Sequence, residues 1–286
     1  MMNPLVSVII PTLNSEALIE DCLKSIKAQT YTNIEIIVVD GHSTDNTSEI
    51  AKKYGKVFLY GPDQSIGRVF GGPYQRNYGA KQSNGKYIYL VDSDMVLTSN
   101  VIEECVKKAE LENADAVIVP EISFGEGFWA KCKSLERACY IGDNSLEAPR
   151  FVKKEIWDEL NGLDETLGGQ DDWDLHNRLK EKGCKIMRIN SPVYHNEGKL
   201  KLSKLLKKRF IYGKTVDRYF KKYKKNKGTL IKQYNLFRPA YFRNWRLLIR
   251  DPIHTIGFFV MRVLEYTVVL IGLIGSKLKK SKVVIK

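Results

Sequence analysis

The chain has 286 residues, 43% of them apolar, and carries 46 Lys+Arg against 33 Asp+Glu for a formal net charge of +13. That length and composition exclude a chain too short or too polar to bury a core, and fit one large domain with an appendage or two small domains. The charge is divided: residues 1–198 hold 22 Lys+Arg against 30 Asp+Glu, net −8, whereas residues 199–286 hold 24 against 3, net +21. Five cysteines, Cys22, Cys105, Cys132, Cys139 and Cys184, lack CxxC spacing and read as reduced thiols rather than a disulfide framework or a zinc site. The opening residues lack a basic stretch followed by a long apolar run, since Val6 to Ile10 is short and meets Pro11, so the N-terminal part is expected in the cytosol.

In chain order, "VSVII" predicts a β-branched strand and Pro11 the start of a loop. A helix follows, capped by Asn14 or Ser15, with Leu18, Ile19, Cys22, Leu23 and Ile26 at helical spacing. "NIEIIVVD" predicts a second strand ending on Asp40, then the loop "GHSTDNT" and a helix near 46–54. "KVFLY" is a third strand, 74–83 a helix broken by Asn84-Gly85, and "YIYLV" a fourth strand that runs into Asp92 and Asp94. Residues 101–111 predict a helix, "ADAVIVP" a strand, and 124–143 a less regular stretch. "KKEIWDELNGLDE" and "DDWDLHNRLKEKG" predict helices stopped by Gly162 and Gly183, and "CKIMRI" a strand.

Strand and helix alternate, and the strands are nearly continuously apolar, which predicts an α/β fold with a mostly parallel sheet covered on both faces. Ligands in such sheets bind outside the carboxyl ends of the strands. Three polar loops fall there: Pro11 to Asn14, Asp40 to Thr44, and Asp92 to Asp94.

"VSVIIPTLN", "IEIIVVDGHSTDNT", "QRNYGAKQSNGKYIYLVDSDMVL" and "LGGQDDWDLHNRLKEKGCKI", in this order over residues 4–198, resemble the inverting family 2 glycosyltransferases of the GT-A fold. The resemblance implies a Rossmann-like catalytic domain at 1–198 that binds a nucleotide-diphosphate sugar, UDP-sugar favoured, together with Mg²⁺ or Mn²⁺. In its terms Asp94 is the direct metal ligand, and Asp92 contacts the ribose or reaches the metal through water. Carboxylates at i and i+2 suit a hard ion that also binds phosphate oxygens. Asp40 corresponds to a residue that reads the base, and Pro11, Thr12 and Asn14 lie in the segment that lines the nucleoside. Arg76 matches an Arg placed near base or diphosphate, where a guanidinium suits either; Arg68 in "GRVFGG" is a further phosphate candidate. The family's Glu-Asp pair maps to Asp171 and Asp172, making Asp172 the general base and Asp171 its partner toward the acceptor. His195 matches a further metal ligand in some relatives, or is a structural histidine. The chain has "VVDGHSTD" where "VVDDGSTD" is commoner, and His42 reads as a loop residue. Trp173 reads as a core residue.

From Lys199 the chain is basic and amphipathic, and residues 253–276 are mainly apolar. The basic stretch alone could track nucleic acid or lie along anionic lipid. The apolar stretch favours the membrane over nucleic acid and is long enough to span a bilayer. Arg262 and Glu265 lie three apart within it, however, so two interfacial helices are an alternative to one span. Residues 199–286 are therefore expected to form a helical membrane-associating region, peripheral, monotopic or with one span, at the cytoplasmic face. The acceptor expected from this is a lipid-linked glycan, glycolipid or polyprenyl phosphate. The rival readings are a sugar-phosphate nucleotidyltransferase, which would want a Gly-rich basic loop after the first strand, a helical subdomain that closes the site or forms a dimer, and a non-catalytic membrane or nucleic-acid binder retaining the fold.

Overall fold

A computed structural model describes residues 3–61 and 71–284. It resolves into two compact units: one comprises Met1–Ile122, Glu147–Glu165 and Asp171–Asn196, the other Ser123–Leu146, Thr166–Gln170 and Glu197–Lys286. This differs from the single boundary expected after residue 198, because two internal segments of the acidic part group with the basic tail.

The first unit is built on a sheet whose inner strands have apolar runs buried on both faces, while its two edge strands are more exposed. β1 (Val6–Thr12), β2 (Ile34–Asp40), β3 (Lys56–Leu59), β4 (Tyr87–Leu90), β6 (Ala116–Ile118), β8 (Phe151–Lys153) and β9 (Ile186–Arg188) form one sheet in the order β3-β2-β1-β4-β8-β6-β9. The pairs β3-β2, β2-β1, β1-β4 and β6-β9 are parallel, and β8 runs antiparallel between β4 and β6. The sheet is thus parallel-dominated, as expected, with one reversed strand that the sequence pattern did not reveal. β5 (Met95–Leu97), β10 (Val193–Lys199) and β7 (Glu121–Glu126) form a second sheet in the order β5-β10-β7.

Side-chain alternation along β1 sends Val6, Val8 and Ile10 into one core with α1 (Ile19–Lys27) and α4 (Val101–Leu111). Ile9 points the other way, into a core with α3 (Gly71–Lys81), α6 (Lys154–Glu159) and α7 (Asp171–Glu181). α2 (Thr47–Lys52) follows β2. Each fully buried branched side chain contributes roughly 1.5–3 kcal/mol, so a strand buried on both faces is strongly held. α3 packs closely on β1 because residue 79 is glycine: a Cβ there would lie 2.6 Å from Cγ2 of Ile9.

The second unit is helical: α5 (Phe128–Ala138), α8 (Leu202–Lys222), α9 (Lys227–Tyr234), α10 (Pro239–Arg243), α11 (Trp245–Arg250) and α12 (Pro252–Val284). The stretch expected to be irregular, 124–143, instead holds the end of β7 and α5. Cys132 and Cys139 of α5 join Tyr241, Phe258 and Met261 in one core. α8 and α12 cross at Gly213 and Gly272, where a side chain would collide with the backbone of the facing helix. α12 is a single helix of 33 residues, about 50 Å long. Arg262 and Glu265 are buried in it, paired with each other at 2.9 Å. Arg262 also reaches Glu136 at 3.1 Å, and Glu265 accepts from Arg209 at 3.0 Å. Lys133 completes the cluster, 2.7 Å from Glu136. All five cysteines are free thiols.

Candidate active site

The carboxyl ends of the parallel strands share one edge. Thr12 and Asp40 are register partners at the ends of β1 and β2, and Val91, just past β4, donates its N–H to the Ile9 carbonyl. Asp92, two residues past Leu90, therefore emerges at the same edge as the ends of β1 and β2. Because β8 is antiparallel, it begins where β4 ends: Phe151 pairs with Tyr89, and the Arg150 carbonyl accepts from Leu90. Glu121 arrives at the same edge from β6. His195 pairs with Met95 across β10 and β5, and Asn196 N–H bonds the Asp94 carbonyl at 2.9 Å, which sets His195 next to Asp94.

These placements produce a continuous chain of charged groups. Arg76, on α3 and nearly buried, donates through Nη2 to Asp92 Oδ1 at 2.5 Å and through Nη1 to Asp171 Oδ2 at 3.1 Å. Arg150 donates through Nη1 to Asp92 Oδ2 at 3.2 Å and through Nη2 to Glu121 Oε2 at 3.1 Å. The other Glu121 oxygen lies 2.6 Å from Nδ1 of His195, whose Nε2 is 3.1 Å from Asp94 Oδ2. Arg150 and Glu121 were not singled out in the sequence.

Burial disfavours the Asp92 carboxylate, but Arg76 and then Arg150 outweigh it and hold its pKa well below the usual range. At the start of α7, burial and then the charge of Asp172 push the Asp171 carboxyl up to about 7, against the pull of Arg76. Asp172 is the accessible member of this pair, its side chain 44% exposed against 7% for Asp171, with Oδ1 3.9 Å from Arg76. Asp174, the third acid of that turn, is tied to Arg178 at 2.7 Å.

Other expected residues serve the loops. Asp40 is fully buried; its Oδ1 accepts from the N–H and hydroxyl of Ser43, and its Oδ2 from the hydroxyl of Ser48. Asn14 does not cap α1, which begins later, at Ile19; its Oδ1 accepts from Thr44 N–H at 2.8 Å and its own N–H donates to Ser43. Ser15 meets α1 through its carbonyl, not its side chain. Pro11 and Thr12 belong to β1 itself. His42 has φ 64 in the turn after Asp40. Trp173 is half-buried, and Arg68 lies outside the described residues.

Three buried atoms at this edge have no hydrogen-bond partner: Thr12 Oγ1, Arg76 Nε and Asp94 Oδ1. Buried orphan atoms are uncommon and mark places where a ligand can complete the bonding. Among the described residues no set of three or more His, Cys, Asp or Glu side chains is arranged to hold an ion alone. The reason is local: both Asp92 oxygens are engaged by guanidinium groups. Asp94 Oδ1, which has no hydrogen-bond partner, and the adjacent Asp94 Oδ2 with His195 Nε2 at 3.1 Å form a small oxygen-and-nitrogen set that fits an ion taking its other ligands from phosphate oxygens and water. Glu121 behind Nδ1 is the kind of outer partner that orients a metal-binding imidazole.

Residues 7–159, more than half of the chain, match the family described as "Glycosyl transferase family 2". The chain is 35% identical over 167 residues to "Uncharacterized glycosyltransferase EpsJ" of Bacillus subtilis (strain 168), a match spanning 58% of this chain and 45% of that protein. It is 29% identical over 170 residues to the poly(ribitol-phosphate) beta-N-acetylglucosaminyltransferase TarP of Staphylococcus aureus (strain N315), spanning 54% and 50%. The chain thus covers less than half the length of the first curated relatives it matches. Among solved structures, the mannosyltransferase PcManGT from Pyrobaculum calidifontis in complex with GDP-Man and Mn²⁺ superposes with a TM-score of 0.65 at 16% identity, over 93% of this chain and 87% of that one. S. aureus TarS 1-349 in complex with UDP-GlcNAc gives 0.55 at 18%, over 91% and 81%. At these identities the likeness is one of fold, the GT-A arrangement. With the family match over 7–159, the chain belongs to the glycosyl transferase family 2.

Proposed function

We propose that the chain is a metal-dependent inverting glycosyltransferase that moves a sugar from a nucleotide-diphosphate sugar, UDP-sugar favoured, to a membrane-held acceptor such as a lipid-linked glycan or polyprenyl phosphate. The observation that carries the reading is the chain of charges from Asp171 through Arg76, Asp92, Arg150, Glu121 and His195 to Asp94, set along the sheet edge where nucleotides bind in parallel α/β folds. Neighbours of this fold that bind GDP-Man with Mn²⁺ and UDP-GlcNAc support the donor class.

On this reading Asp94 and His195 hold Mg²⁺ or Mn²⁺, which supplies positive charge against the leaving diphosphate. Arg76 and Arg150 fix Asp92, the group on the ribose side, and Arg76 ties it to the start of α7. The acceptor oxygen attacks the anomeric carbon as the bond to the diphosphate breaks on the opposite face, and Asp172 takes the proton from that oxygen. Asp172 suits this role by its exposure. Asp171 is buried behind it, and while protonated it leaves Asp172 as the sole negative charge of the pair. The basic tail, with 24 Lys+Arg in residues 199–286, supports an acceptor at an anionic membrane surface on the cytoplasmic side.

The test is nucleotide release from a panel of nucleotide sugars with Mn²⁺ and a membrane extract. One donor is expected to turn over, and Asp94→Ala and Asp172→Asn are each expected to lower the rate by about 10²-fold or more. Wild-type turnover in either variant overturns the assignment.

A further inference from the structure

The outer face of α12 has a composition that water does not favour. Ile253, Ile256, Val260, Val263, Leu270 and Ile274 are all exposed, from 46% at Val260 to 68% at Ile253, and recur at helical spacing. Between Pro252 and Ser276 the only Asp, Glu, Lys or Arg residues are Arg262 and Glu265, and both point inward to the cluster with Lys133, Glu136 and Arg209. A surface helix of a soluble domain carries its charges outward and its apolar stripe inward; α12 is apolar outside, and its inward face carries the Arg262–Glu265 pair beside the core residues Phe258 and Met261. The spacing continues backwards through exposed Ile249, Trp245 and Phe242 in α11 and α10. Between those positions stand exposed Arg243, Arg246 and Arg250, and exposed Lys277 closes the far end.

We propose that α12 lies in the plane of an anionic lipid bilayer, with the Ile253–Ile274 stripe in the acyl boundary and the flanking Arg and Lys side chains on lipid phosphates. This names the surface behind the membrane-held acceptor and rests on that part of the reading. Two observations choose the occupant and its geometry. Residues 199–286 carry net +21, so a second copy meeting this face brings like charge, whereas anionic head groups bring the opposite charge. A bilayer-spanning α12 would have to leave α5 and α8, carrying Arg262 and Glu265 into hydrocarbon without their partners Glu136 and Arg209. The segment is nonetheless long and apolar enough to cross a bilayer by length and composition alone, so geometry has to be tested as well as binding.

The experiment is flotation of the full chain with vesicles of phosphatidylcholine and phosphatidylglycerol in equal parts, and with phosphatidylcholine alone. The comparison variant is Ile256→Glu/Val263→Glu/Ile274→Glu, whose substitutions all fall on exposed positions. The expected result is binding to the mixed vesicles, little to the neutral ones, release by alkaline carbonate, and at least tenfold weaker binding by the triple variant. Circular dichroism and nucleotide release from soluble donor are expected to be unchanged in that variant. If the variant binds as wild type does, this surface is wrong while the membrane reading survives. If wild type binds neither vesicle, both fail. Retention in carbonate overturns the in-plane geometry. A wild-type dimer that the triple variant dissolves, without vesicle binding, assigns the face to a second copy and overturns the proposal.

Discussion

His42 occupies a left-handed backbone conformation, φ 64, at the position where the commoner "VVDDGSTD" pattern has glycine. A non-glycine residue there stores roughly 1–2 kcal/mol of strain, although histidine tolerates it better than most. Had the imidazole been a ligand, its replacement would abolish turnover. His42→Gly is instead expected to keep nucleotide release and to be neutral or stabilising by up to about 1 kcal/mol in thermal unfolding. Asp171 gives a second prediction at this scale. Its carboxyl is raised to about 7 in the fold, so between the ordinary Asp range and neutrality the native state holds a proton that the unfolded chain has released. That contribution is full in acid and is lost as pH rises through about 7. Asp171→Asn is therefore expected to flatten the fall in stability between pH 5 and 8, and to be the more stable protein at pH 8 by a few kcal/mol at most. Unfolding midpoints at the two pH values measure it.

At the level of elements, what could be read in the sequence follows how each strand is held. β1, β2 and β4 are buried on both faces, so their apolar runs are continuous and their ends, Thr12, Asp40 and Asp92, could be placed on one edge. β5 and β8 have three residues each, too few for any period, and exist because neighbouring strands pair with them. That is why Arg150 went unnoticed: nothing in "APRFVK" says that the strand runs backwards, yet the reversal delivers the guanidinium to Asp92. Glu121 follows "IVP" and likewise gains meaning only from His195. α5 was not legible: 124–143 reads as a less regular stretch because buried Lys133 and Glu136 interrupt the apolar face that Cys132, Leu135 and Cys139 make. Two predictions belong here. Arg150→Met removes the guanidinium shared by Asp92 and Glu121, leaving Asp92 with Arg76 alone and Glu121 with His195, and is expected to lower nucleotide release at least tenfold. It should also destabilise by about 3–5 kcal/mol, the usual cost of removing one partner from a buried ion network. Arg262→Met does the same to Glu136 and Glu265 in the helical unit. Since Arg262 belongs to that unit and not to the catalytic edge, the loss is expected in thermal stability and not in the pH dependence of nucleotide release.

For the whole molecule, the charge division at residue 198 suggested a catalytic domain that could be cut free from its tail. The contacts of α5 argue otherwise. Trp129, Cys132, Leu135 and Cys139 pack with Leu205, Tyr241, Phe258 and Met261, so a chain ending at residue 198 keeps α5 but loses the core that α5 enters. It also loses Arg209, Arg262 and Glu265, leaving Lys133 and Glu136 as the remnant of their cluster. Exposing several large apolar side chains at once, each worth roughly 1.5–3 kcal/mol when buried, favours aggregation over a stable smaller domain. The truncated chain is therefore expected to be insoluble or to unfold well below the full chain. A second truncation that also replaces residues 123–146 by a short Gly-Ser linker removes α5 with its missing partners, and should recover solubility. Static light scattering and thermal unfolding of the two truncations, compared with the full chain, decide the point. A soluble 1–198 fragment with cooperative unfolding would mean that α5 is stabilised by the sheet-bearing unit and that the charge boundary is the physical one.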